Sequence, residues 1–274
     1  MDLETIPCPS CGGPLEARFC PQCGEKRIGP DDLRLSRFLH EVFHFETHLD
    51  NTVVQTLKAL VARPGFLTLA WVRGQRVAFA KPLQLFVLLN LVFFLVAPKL
   101  GLFRWDLAEA LRFDPRGALA AKVEALRLAK GLDLPAFLTL YGRVQSGYIR
   151  GLFLALIPCL ALALKAFHPR RRVVEHLVFA INYTTYVFLL FLAVFLFLAA
   201  VALPFHTGFG DRVIGPLAFL GMAAYLAPAL KRVFAAGTFR SLGEACLLAL
   251  LFLPMLVLYQ RFTVWITFRS ILNS

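Results

Sequence analysis

Acidic residues are scarce in this chain, 17 against 29 Lys and Arg in 274 residues, and none lies between Asp50 and Asp106. Charged residues of both signs make up only 17% of the sequence, while 58% is hydrophobic. That is too little charge and too much apolar side chain for an ordinary soluble domain, so an integral membrane protein is expected. The net charge of +12 is read as topological, because Lys and Arg are retained on the cytoplasmic side of bacterial inner-membrane proteins. The first 30 residues lack the apolar run of a cleavable signal peptide, so the amino terminus is expected to belong to the mature protein.

The same 30 residues also lack the apolar content for a core of their own. What they have is cysteine: four of the six in the chain, as C-P-S-C (Cys8, Cys11) and C-P-Q-C (Cys20, Cys23), each pair followed by a glycine, Gly12 and Gly24. Two residues between cysteines let both sulfurs of one turn reach one ion, and glycine permits the backbone twist that follows. Two such turns complete a tetrahedral four-thiolate shell, predicting a zinc ribbon over residues 1–30 with one structural zinc ion. Metal binding would supply the folding free energy that a core otherwise provides. A disulfide or redox C-x-x-C is the competing reading, and the thioredoxin-like strand and helix it requires are missing. Phe19 is the only aromatic of the module and Glu25-Lys26-Arg27 its only charge patch, too little for phosphate contacts and base stacking; no nucleic acid is expected. Cys159 and Cys246 stand alone in apolar runs and read as small hydrophobes.

A second metal signature, H-E-x-x-H, occupies His40, Glu41 and His44. On a helix these histidines could chelate zinc with Glu41 as general base, but a third ligand is wanting. On an unbroken helix His48 lies about 12 Å along the axis from His40, and the glycine turn that folds a third histidine back in other proteases is absent. His168, Glu175, His176 and Glu244 are the downstream candidates on the same side. The favoured reading is three histidines on the wet face of an interfacial helix, with no catalytic site.

Residues 31–81 carry amphipathic helical periodicity, with Leu35, Phe38, Val42, Leu49, Val53, Leu57 and Leu60 on one face. A break near residues 47–50 and a stop at Arg63-Pro64-Gly65 are expected. With Lys58, Arg63, Arg73, Arg76 and Lys81 and no acid beyond Asp50, the segment suits the headgroups of an anionic leaflet; the alternative is a basic helical surface packed on other helices. Residues 82–274 form the transmembrane domain. Apolar runs near 82–98, 148–167, 176–203, 213–236 and 242–262 approach the ~20 residues that cross ~30 Å of hydrocarbon, predicting about five transmembrane helices. Pro158, Pro228 and Pro254 fall inside three of them. The loop at 99–147 is read as an extramembrane helical cap, with a helix from Asp114-Pro115 to Gly131 that puts Leu119, Val123 and Leu126 on one face. Asn90, Asn182, Thr184 and Thr185 read as interhelical hydrogen-bonding positions or as a substrate path. The short loops 165–175 and 231–240 are basic, and reduced cysteines belong in the cytosol. The amino terminus is therefore placed in the cytoplasm and the carboxyl terminus outside. The fold expected is an all-α polytopic membrane protein with a small N-terminal zinc ribbon.

The order C-P-x-C-G, F-C-P-x-C-G, then a basic helix ending in R-P-G (Arg63 to Gly65), then G-x-R (Gly74 to Arg76) and Pro82 opening the first span, resembles a group of bacterial membrane proteins of unknown function with an amino-terminal zinc ribbon. The specific motifs cover residues 8 to about 97. The resemblance implies an integral bacterial membrane protein with cytoplasmic metal-binding cysteines at Cys8, Cys11, Cys20 and Cys23; it implies no reaction. Three functions follow in order of preference: a non-enzymatic docking or accessory protein whose ribbon and basic helices meet a protein partner or larger complex, a small transporter or channel, and a membrane metalloprotease.

Overall fold

A computed structural model describes residues 6–38, 52–96, 107, 111, 117–202 and 210–273. The chain is mostly helical and divides into two compact units, residues 1–93 with 157–250, and residues 94–156 with 251–274.

The first unit begins with the cysteine module. Two short strands, β1 (Ile6–Pro7) and β2 (Pro14–Leu15), pair antiparallel with Ile6 opposite Leu15, and a single bridge joins Phe19 to Lys26. A 3₁₀ turn at Pro30–Leu33 follows. Helix α1 runs Thr52–Ala62 and α2 Phe66–Arg73. Between them, R-P-G makes the corner: Gly65 has φ +75°, and a Cβ there would lie 2.8 Å from the Ala229 carbonyl oxygen. Only glycine allows both the left-handed turn and that close approach. Gly74, at φ +94°, ends α2.

Apolar runs then form α3 (Pro82–Val96), α5 (Leu134–Phe167), α6 (Val173–Ala202), α7 (Gly210–Phe234) and α8 (Thr238–Asn273); α4 (Ala118–Ala129) lies between α3 and α5. Helix α6 packs against α1, α2 and α7. The sequence stripe Val53, Leu57 and Leu60 packs with Leu67, Leu85, Leu89, Tyr186 and Leu189; this part of the amphipathic face is spent on other helices. Stacked Tyr186 and Tyr225, with ring centres 3.7 Å apart, join α6 to α7.

Each of the five runs expected to span a membrane falls mainly on one helix among the described residues. Among the described residues one stretch, Val173–Val194 in α6, is long and apolar enough to cross a membrane by length and composition. Pro82–Val96 and Leu154–Phe167 are apolar but shorter.

In the second unit, Val123 and Leu126 of α4 are buried with Phe137, Tyr141, Phe268 and Ile271, and Leu119 packs against them. The face read from the sequence is the one that packs. The helix starts at Ala118 and its C-cap is Lys130, next to Gly131; Asp114-Pro115 lies outside the described residues. Burial among these rings pushes the Tyr141 hydroxyl well above the usual tyrosine value.

Candidate metal centre

Two turns of the same design bring the four cysteines together. In the first, the Cys8 N–H donates to the Gly13 carbonyl and the Gly12 N–H to the Cys8 carbonyl, at 2.7 and 2.9 Å. Twelve residues on, the Cys20 N–H donates to Glu25 and the Gly24 N–H to Cys20, at 2.8 and 2.9 Å. Gly12 and Gly24 both sit in the left-handed region, at φ +77° and +73°, as the sequence spacing requires.

The four sulfurs lie within 4.8 Å of one another, with Cys8 and Cys23 at 3.6 Å and Cys11 and Cys20 at 3.5 Å. A tetrahedral thiolate shell with bonds of about 2.3 Å places its sulfurs about 3.8 Å apart, so the four can hold one metal ion. The local field differs between the sulfurs. The backbone N–H groups of Cys23 and Gln22 bring the Cys20 thiol down to about 7, against the upward pull of burial. At Cys23 the Glu25 N–H also pulls downward, but burial and the sulfurs of Cys8, Cys11 and Cys20 outweigh it and push the thiol up to about 12. Four thiolates this close need a cation between them. Among the described residues this is the one group of three or more His, Cys, Asp or Glu side chains able to surround an ion.

The module does not hang free. Glu25 is buried, and its Oε2 accepts the Ser10 hydroxyl at 2.6 Å and the backbone N–H groups of Arg76 and Val77, each at 2.9 Å. Gln75 Nε2 donates to the Pro9 carbonyl at 2.6 Å. A Cβ on Gly74 would meet Ile28 at 2.9 Å, so the glycine of G-x-R lets the ribbon approach. Arg76 lies over the Trp71 ring at 4.1 Å, and Phe38 meets that ring edge-on. Asp32 accepts the Gly29 N–H and pairs with Lys26 and Arg37. Burial raises its pKa, but the Gly29 N–H and the two cations outweigh that and hold the carboxyl below the usual carboxylate range. Glu25 and Lys26, read from the sequence as part of a charge patch, are thus committed to internal contacts.

His40, Glu41, His44 and His48 lie outside the described residues. Of the four downstream candidate ligands, His168 bonds to Glu244 at 2.9 Å, in a pair that is nearly fully buried. Glu244 also takes Arg240 Nε at 2.7 Å, and Glu175 pairs with Arg171. His176 donates from Nδ1 to the Arg172 carbonyl. Asn182 donates to Thr68 Oγ1 at 3.1 Å and borders a cavity of about 70 Å³ with Gln75, Arg76 and Lys81. Thr184 and Thr185 bond back to carbonyls of their own helix. Asn90 is half-buried.

The model of a family described as a protein of unknown function (DUF3667) matches residues 50–94. That stretch holds the Gly65 corner, the Gly74 stop and the loop whose N–H groups Glu25 receives. The match, together with a four-cysteine cluster able to hold a metal ion, fits a family of unknown function. No curated protein and no solved structure matches the chain.

Proposed function

We propose that the chain is a multi-spanning bacterial inner-membrane protein without enzymatic activity, in which one structural zinc ion staples a cytoplasmic ribbon that docks a protein partner. Cys8, Cys11, Cys20 and Cys23 are its ligands. Tetrahedral four-sulfur sets suit zinc or iron, and reduced thiols in a metal-stabilised module without redox partners favour zinc. Four protein sulfurs leave no open coordination position for substrate, which is the observation that carries the non-catalytic reading. The coincidence of five helices with the five apolar runs supports the polytopic membrane reading, and the basic loops 165–175 and 231–240 support a cytoplasmic amino terminus.

The docking role draws on the ribbon's asymmetry. Pro9, Ser10, Glu25 and Ile28 hold the ribbon to the 74–77 loop, whereas Ile6, Arg18 and Phe19 stay exposed, with Phe19 half open to solvent and Arg18 over its ring. A rigid knob presenting an exposed aromatic and a guanidinium loses little entropy on binding. The test is affinity purification of the full chain from membranes in three forms: wild type, the Cys8→Ser, Cys11→Ser double variant and Phe19→Ser. The proposal predicts a protein recovered with wild type and lost with both variants, although Phe19→Ser keeps its metal. Identical recovery in all three would sink it.

A further inference from the structure

The two short basic loops that set the expected orientation meet in the structure. Arg240, in the first turn of α8, donates from Nη2 to the Phe167 carbonyl at the end of α5, at 3.1 Å, and its Glu244 neighbour holds His168. Beside this junction lies a cavity of about 650 Å³ lined by Ala166, Phe167, His168, Pro169, Arg170, Arg171, Phe234 and Arg240. Three guanidinium groups and an imidazole border it, and among the described residues no carboxylate does. We propose that this cavity binds the phosphate of a phosphoester anion, which on the membrane reading above is the headgroup of an acidic phospholipid.

Two of the three guanidinium groups are tethered. Glu244 and Glu175 are buried; Glu244 takes Arg240 Nε, and Glu175 Oε2 lies 3.5 Å from Arg171 Nη1. Arg240 uses two of its N–H donors in this way, and the rest of the five on a guanidinium remain for a ligand. Arg170 makes no ion pair among the described residues and is exposed. Lys165 braces the loop by donating to the Pro169 and Arg171 carbonyls at 2.7 and 2.6 Å, which removes two acceptors that would repel an anion. Phe234 stacks flat on His168 at 4.1 Å and gives the cavity an apolar wall.

Planar guanidinium forks match phosphate oxygens in pairs, and basic pockets between helix ends suit anionic headgroups. The volume is several times what a bare phosphate needs and accommodates the glycerol of a headgroup beside it.

The experiment uses the full chain in non-ionic detergent, with binding of phosphatidylglycerol, phosphatidylcholine and soluble glycerol phosphate measured for wild type, Arg170→Gln, Arg240→Lys and the control Lys122→Gln. Wild type is expected to prefer phosphatidylglycerol over phosphatidylcholine; Arg170→Gln and Arg240→Lys weaken this by about tenfold each, and Lys122→Gln leaves it unchanged. Competition by glycerol phosphate at similar concentration supports the cavity and makes the ligand a soluble phosphoester; competition by lipid alone makes it a headgroup. Equal binding of all probes by wild type, Arg170→Gln and Arg240→Lys, or an equal loss in Lys122→Gln, overturns the site. Flotation of wild type with vesicles tests the membrane reading separately, since the glycerol phosphate arm reports on the cavity whether or not the chain floats.

Discussion

The Glu25 carboxylate lies 2.9 Å from the backbone nitrogen of Arg76, 51 residues further along the chain. It joins the cysteine module to the loop between α2 and α3. The residue directly after the second C-x-x-C-G thus fastens the module, and the cysteine turn sets its position because the Glu25 carbonyl closes the turn that begins at Cys20.

Replacing Glu25 with Ala leaves the Ser10 hydroxyl and the Arg76 and Val77 backbone N–H groups without their acceptor. The variant is expected to lose about 1–3 kcal/mol of stability while keeping its metal. Amide hydrogen exchange should speed up at Arg76 and Val77; unchanged protection there would mean that the carboxylate is not the fastener.

Gly65 and Gly12 share a left-handed backbone but differ in surroundings. Nothing lies within 4 Å of a Cβ at Gly12, whereas at Gly65 the Ala229 backbone and Val233 come within 3.0 Å. Gly12→Ala is expected to cost about 1 kcal/mol, and Gly65→Ala at least twice that, because the backbone of α7 must shift. Denaturation midpoints of the two variants in the same detergent check the order.

Asp32 gives a dependence on pH. Its folded pKa lies below the ordinary value near 3.9, so its stabilising contribution is present above that value and disappears as pH falls through the folded pKa. Asp32→Asn should cost about 1 kcal/mol at pH 7, since Lys26 and Arg37 are partly exposed. The gap to wild type should close below about pH 4. A gap that stays constant from pH 7 to pH 3 would contradict the ion-pair account.

The Asn182 to Thr68 hydrogen bond joins α6 to α2. A double-mutant cycle with Asn182→Ala and Thr68→Ala should return about 0.5–1.5 kcal/mol of coupling. Zero coupling would free both side chains for another role, including the polar path that the sequence left open.

The cysteine turns were legible because their chemistry is local: sulfur spacing and a glycine at the left-handed position are written within five residues. The α4 stripe of Leu119, Val123 and Leu126 was legible for the same reason, since helical periodicity alone decides which face packs. Glu25 was not. In the sequence it is one member of an acid-base cluster, and only the return of residues 74–77, after two helices, turns it into a buried acceptor. Gly65 was read as a stop signal, and its closeness to Ala229 depends on a helix more than 160 residues away. His168 and Glu244 entered as candidate metal ligands; the structure bonds them to each other, because the end of α5 and the first turns of α8 meet there, which no local pattern announces. Span number was read from composition, which registers apolar length but not whether a face such as Val53, Leu57 and Leu60 turns toward lipid or toward neighbouring helices.

Metal analysis of the purified full chain tests the central claim most directly, comparing wild type with the Cys8→Ser, Cys20→Ser double variant. One zinc per chain in wild type and none in the variant is the predicted result. Zinc that persists in the variant, or a wild type that carries none, would contradict a four-thiolate centre built on these residues.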